Sequence, residues 1–122
     1  MTRVFACLLF SLILMGSCKK DDCSPPYVGE NIVGTWKVNG SSDTVVFLED
    51  GTLLDPKDAL ISGEVNGMIL DQKSWSIVPG DYLLLRAENM NSVIESEFEI
   101  VNHECNRIDL EVFFVGIRLD RK

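Results

Sequence analysis

The 122-residue chain is predicted to be all-β: a small up-and-down β-barrel of about eight short antiparallel strands. Three observations predict it. From Gly34 onward apolar residues recur every second position, the alternation of a strand and not the 3.6-residue spacing of a helix. Turn-forming pairs interrupt these runs at short intervals, which favours meander connections over a Greek key. The length fits one domain of roughly 100–200 residues. Hydrophobic residues make up 46% of the chain and there are only four prolines, so a disordered tail is excluded. Eleven basic against nineteen acidic side chains argue against a nucleic-acid partner, since phosphate binding needs a basic face.

The elements follow in order. A short helical turn is expected within Gly29–Val33. Thr44–Leu48 is β-branched and aromatic, and Asp50-Gly51 after it signals a hairpin. Pro56–Ile61 is expected to hold another turn. Asn66-Gly67 lies between Glu64-Val65 and Met68-Ile69, a second hairpin signal. Ser74–Val78 alternates around Trp75 and Ile77, Pro79-Gly80-Asp81 turns the chain, and Tyr82–Ala87 runs back. Ile94, Phe98 and Ile100 alternate with Glu95, Glu97 and Glu99, so the carboxylates share one face. Asn102–Asn106 is the next turn. In the last segment Ile108, Leu110, Val112 and Phe114 share one parity, and Ile117 and Leu119 the other. As one long strand this requires a bulge, with Gly116 at the switch. The inward set is Trp36, Val46, Trp75, Ile77, Leu83, Leu85, Phe98, Ile100, Leu110 and Phe114.

Arg3 is the only charge before Lys19, and Val4–Met15 is an apolar run broken only by Ser11. A bilayer-spanning helix needs about 20 apolar residues, so the shorter run fits a signal peptide. Met15-Gly16-Ser17-Cys18 resembles the lipobox of bacterial lipoproteins, with Met15 in place of the usual leucine; the alternative is an ordinary signal peptide. The resemblance implies a signal peptide over 1–17, acylation of Cys18 that incorporates palmitate, and a lipidated tether over 18–31. The folded domain then occupies 32–122. Lys19-Lys20-Asp21-Asp22 resembles the export signal of Bacteroidota surface lipoproteins, which implies the outer membrane and the cell surface. With Cys7 removed and Cys18 acylated, Cys23 and Cys105 remain in an oxidising compartment. They form one disulfide or stay as two buried thiols, and the polar, proline-rich surroundings of Cys23 favour the bridge. It would close about 80 residues and constrain the unfolded chain by roughly 4–5 kcal/mol.

Ile32–Val38, Val45–Thr52, Lys73–Ile77 and Gly80–Leu85, in that order, resemble the small lipocalin-like lipoprotein domains of Bacteroidota. That resemblance covers roughly residues 32 to 119. It implies a lipocalin-like barrel with an arginine of the last strand packed across Trp36. Arg118 is the candidate and Arg121 the fallback. Function is then expected to be non-enzymatic and cofactor-free. The protein would bind a small ligand or an envelope component, with Trp36, Trp75, Phe98 and Phe114 as ligand-binding residues. The alternative is a protein-interaction module, an inhibitor or accessory subunit of a surface complex, with a solid core. His103 is the sole histidine, too little for a paired metal site or a triad, so no catalytic or metal residue is assigned. Glu95, Glu97 and Glu99 are spaced by about 7 Å along a strand, too far for one calcium ion without other ligands. A hydrolase acting through acidic residues alone would need a paired-carboxylate cleft. Asp43-Thr44-Val45 resembles a Bacteroidota O-glycosylation acceptor.

The anchor is tested by Cys18→Ala. The variant is expected to remain unprocessed or soluble and to lose incorporation of labelled palmitate. Retention in the outer-membrane fraction with label rules Cys18 out.

Overall fold

The computed structural model describes residues 23–122. The signal peptide, the lipobox with Cys18, and Lys19–Asp22 lie outside the described residues. Helix α1 (Val28–Asn31) precedes strands β1 (Gly34–Val38), β2 (Thr44–Phe47) and β3 (Leu53–Leu54). A hairpin of β4 (Glu64–Val65) and β5 (Met68–Ile69) follows. Then come β6 (Gln72–Val78), β7 (Tyr82–Glu88), β8 (Val93–Glu104), β9 (Arg107–Val112) and β10 (Val115–Arg121). Eight strands form one antiparallel sheet in the order β3-β2-β1-β10-β9-β8-β7-β6. It is a meander whose first strand pairs with its last, with Trp36 opposite Arg121 and Val38 opposite Leu119. The edge strands β3 and β6 approach only beside one bridge, Thr52 to Ser74, so the barrel is nearly closed and split along that seam.

Most turns sit where turn-formers stand in the sequence. Asn66 (φ 51°) and Gly67 (φ 79°) carry the β4–β5 turn. Gly80 (φ 94°) and Asp81 (φ 61°) join β6 to β7. Asp50 accepts the Thr52 N–H at 2.9 Å within the β2–β3 connection. The expected turn before Gly34 is α1. Glu95, Glu97 and Glu99 are exposed while Phe98 is buried, the alternation expected of a half-solvated strand.

Four expectations are corrected. The last segment is two strands, not one bulged strand: Val112 pairs with Val115, leaving Phe113 (φ 47°) and Phe114 (φ 65°) as a two-residue turn. That reversal, not a bulge at Gly116, produces the parity switch. The irregularity in this region lies in β8, between Ile100 and Asn102. Phe114 consequently points to solvent, 97% exposed. Val46 is not an inward residue. Val45 lies opposite Trp36 and shares its face, so Val45 and Phe47 are fully buried. The turn expected at Asn102–Asn106 shrinks to Cys105-Asn106, because β8 runs on through Glu104.

The fourth correction concerns the arginine. Ile117 and Leu119 face inward, so Arg118 faces outward and pairs with Asp109 at 3.6 Å. The same parity turns Arg121 inward without any fraying of the strand. Its guanidinium carbon stands 4.3 Å from the Trp36 ring centroid. Arg121 Nε donates to the Cys105 carbonyl at 2.9 Å, and Nη2 to the Asn31 carbonyl at 2.6 Å and side chain at 3.2 Å. Nη1 reaches the Val33 carbonyl at 3.4 Å. The Trp36 indole donates to the Ile32 carbonyl at 2.7 Å, and Asn31 donates to the Glu104 carbonyl at 2.8 Å. Cys23 and Cys105 are disulfide-bonded, with Cα atoms 6.1 Å apart. Val28, Asn31 and Ile32 are buried beneath this lid, so packing onto the barrel already begins at α1.

Arg121→Ala removes the cation over the indole and leaves three main-chain carbonyls without their partner. A loss of about 2–4 kcal/mol is expected, measured by urea unfolding. Arg121→Lys keeps the charge but not the planar fork and is expected to recover less than half of that.

Candidate functional site

The interior was the expected binding site, and it is filled. Trp36, Phe47, Leu83, Leu85, Ile108, Leu110 and Leu119 are at most 1% exposed and belong to one core cluster. Phe98 joins them at 3%. Trp75 is half-buried, its ring edge-on to Phe47 with centroids 5.8 Å apart and its indole N–H on the Leu48 carbonyl at 2.9 Å. The four proposed ligand-binding residues therefore do not converge. Trp36 is sealed beneath Arg121, Phe98 is core, Trp75 braces the β2–β3 loop, and Phe114 is outside.

Both mouths of the barrel are stoppered. At one mouth α1 packs on β6 beneath the disulfide-linked segment, where His103 Nε2 lies 3.2 Å from the Pro26 carbonyl. At the other, the segment between β3 and β6 folds back and buries Leu60, Ile61 and Leu70 in the core. That segment is organised by Asp55, whose side chain is fully buried. One carboxylate oxygen accepts the Ala59 N–H at 2.7 Å; the other accepts the Leu60 and Ile61 N–H groups at 2.9 and 3.0 Å. Lys73 Nζ, on β6, donates to the Asp55 carbonyl and to Asp58 Oδ1, both at 2.6 Å. It lies 3.7 Å from the Asp55 carboxylate. No buried side-chain polar atom among the described residues lacks a partner, and the geometry of this cluster is that of a clasp across the seam.

The clefts with room for a small molecule open at the surface. One follows the seam and is lined by Leu53, Leu54, Asp55, Pro56, Leu70, Asp71 and Lys73. Another lies at the β7–β8 turn, between Ile69, Gln72 and Met90. Among the described residues no group of three or more His, Cys, Asp or Glu is placed to hold a metal ion, and no helix is long and apolar enough to cross a membrane.

Sequence reasoning missed Asp55 and Lys73. The available signal was an aspartate between an apolar strand and a proline, followed by Leu60-Ile61, a pattern in which a carboxylate caps a returning loop.

Three carboxylates are held below their usual value: Asp50, fully exposed, by hydrogen bonds from Thr52, and Asp58 and Asp109 by basic partners. The Lys73 hydrogen bond, helped by the Gly63 N–H, holds Asp58 below its usual value of 3.8. Burial raises Asp109, but hydrogen bonds from Arg107 and Asn102 and the charges of Arg107 and Arg118 outweigh it, and the net direction is down. A lowered folded-state pKa stabilises above the unfolded value and is lost as pH falls through the folded one. The unfolding free energy is therefore expected to be flat from about pH 7 to 5 and to decline below about 4. All three groups lie at or near the surface, so the slope is shallow. Lys73→Met is expected to flatten the Asp58 part of it, read by urea unfolding across pH.

No family model matches this chain, and neither a curated protein nor a solved structure matches it.

Proposed function

We propose that this chain is a lipid-anchored, non-enzymatic interaction module. Its solid, lipocalin-like barrel is held at the outer membrane through Cys18, exported to the cell surface, and presents its outer surface to another envelope protein. The observation that carries this reading is the filled interior: of the aromatic residues that would greet a ligand, Trp36 and Phe98 are core, Trp75 braces a loop and Phe114 lies outside, and both mouths are closed. Eight-stranded barrels of this size are often packed solid with side chains. The main-chain carbonyls of Asn31, Ile32, Val33 and Cys105 around Trp36 are taken up by Arg121 and by the indole itself, so they are not offered to a guest. The tether reading rests on the lipobox and on the lysine-aspartate run after Cys18. A short linker joins Cys18 to Cys23, whose bond to Cys105 fixes the α1 end of the barrel toward the anchor.

The seam cleft favours a second reading. Leu53, Leu54 and Leu70 flank it with Asp71 and Lys73 at its edge, an arrangement suited to a small amphipathic ligand bound at the surface.

The two readings separate in a titration with a naphthalene-sulfonate dye and a polyene fatty acid, followed by tryptophan fluorescence. An interaction module is expected to give no saturable one-to-one binding. Saturable binding that is abolished by Leu54→Glu favours the seam; saturable binding that survives it and quenches Trp36 favours an interior site and overturns the solid-barrel reading.

A further inference from the structure

We propose that the β9–β10 hairpin tip is the docking element of this module, and that its occupant is an apolar pocket on a protein with a basic rim. This rests on the interaction-module reading above. Phe113 and Phe114 are 91% and 97% exposed, and Val115 beside them is 59% exposed. Exposure alone would mean little, since lone surface apolar residues are ordinary. The backbone makes the difference. Both phenylalanines sit at positive φ, 47° and 65°, in a two-residue turn that ordinarily takes Asn-Gly or Asp-Gly. A bulky side chain in that region is an outlier. The same chain uses Asn66-Gly67 for a turn of the same length. Two consecutive aromatic residues are thus held in an unfavourable conformation, in full contact with water, where the fold itself would be better served by smaller ones. Strain of this kind, concentrated at a surface feature, marks function.

The charge around the tip selects the occupant. On β9, Glu111 lies two residues before Phe113, and across the ladder it stands directly opposite Glu99 of β8. Facing like charges on one sheet face, about 5 Å apart at Cβ, oppose each other. Glu97 and Glu95 continue the acidic row along β8 and are exposed. The outward arginines of this hairpin, Arg107 and Arg118, are both engaged by Asp109, at 3.1 and 3.6 Å. Val101, at the β8 irregularity, is half-exposed and shares a shallow surface hollow with Glu111 and Gly116. Arg86 of β7 stands opposite Glu95 and is held by Glu88 at 3.3 Å, whereas Glu97, Glu99 and Glu111 make no ion pair among the described residues. An aromatic tip flanked by these three carboxylates complements a pocket rimmed by lysine or arginine. It repels an anionic lipid surface, and it repels a second copy of the same acidic end. The tip also lies at the end of the barrel away from Cys105 and Cys23. It therefore points away from the attachment side, out to where a partner would stand.

The test uses the full chain in intact cells, with a photo-reactive phenylalanine analogue at Phe114 and, separately, at Ser76 on the opposite wall. The expected result is one discrete protein cross-linked from position 114 and not from position 76. The purified partner is then titrated. Phe113→Asn with Phe114→Gly is expected to weaken binding about tenfold or more while raising the melting temperature of the isolated protein by about 4–8 °C. That pairing of outcomes separates lost docking from lost folding. Glu99→Gln with Glu111→Gln is expected to weaken binding severalfold and to flatten its salt dependence. Three results overturn the proposal: binding unchanged by the Asn-Gly tip, self-cross-links only, or tip-dependent association with phosphatidylethanolamine–phosphatidylglycerol vesicles. A protein trapped only from Ser76 also overturns it but leaves the interaction-module reading standing. No protein trapped from either position overturns both.

Discussion

One guanidinium holds the closed end together. Arg121 covers the Trp36 ring and donates to carbonyls from α1, from the residue before β1 and from the β8–β9 turn. Strand pairing alone brings β10 beside β1 and carries the β8–β9 turn with it; it does not bring α1 onto the barrel mouth. The planar fork does, because its donors point in several directions at once. The same constraint explains the glycine two residues before the tryptophan. A Cβ at Gly34 would lie 2.9 Å from Arg121 Nη1, and Gly34 has φ 136°. The Gly-x-Trp spacing is thus the footprint of an arginine far away in sequence: the glycine leaves room for it and the tryptophan receives it. Trp36 in turn anchors β1 through its bond to Ile32, and its Cα partner Val45 sets the inward face of β2.

Much of the fold was legible where local chemistry dictates backbone conformation. Asn66-Gly67 and Gly80-Asp81 supply positive φ cheaply, and the chain turns there. The alternation of Glu95, Glu97 and Glu99 with apolar neighbours fixed their facing. Legibility failed where a turn is built from residues that disfavour it. Phe113-Phe114 carries no turn signal, so two strands read as one, and Gly116 drew the blame for a parity change made by the reversal before it. Consecutive apolar residues failed for a different reason. Val45-Val46 fits either face, and only the partner strand decides.

The candidate site was less legible than the fold. Aromatic residues on an inward parity are equally consistent with ligand contact and with core, and what separates them is whether the barrel mouths are open. That depends on α1 and on the segment after β3, neither of which shows strong periodicity. Asp55 binds that second segment with three accepted N–H bonds, a non-local service that residue spacing does not announce. The disulfide was the clearest success, because removing Cys7 and Cys18 from consideration left a single pair.

The barrel is assembled from two meanders of unequal reach. From β6 to β10 each strand pairs with the next through a tight turn, so that half can form from local contacts. β1 to β3 form a second local unit, and the two units meet through β1 and β10 and across the split seam. The bonds that join them span long distances in sequence, 90 positions for Asn31 and Arg121. Contacts of that separation are the slow ones to find, because closure entropy precedes their reward. Linking Cys23 to Cys105 early changes the search. It leaves only ten residues, 24–33, between the bridge and β1, so closure over most of the chain becomes closure over a short loop. The order of events, oxidation before or after docking, thus sets how long the unpaired β1 and β10 edges stay open to other chains.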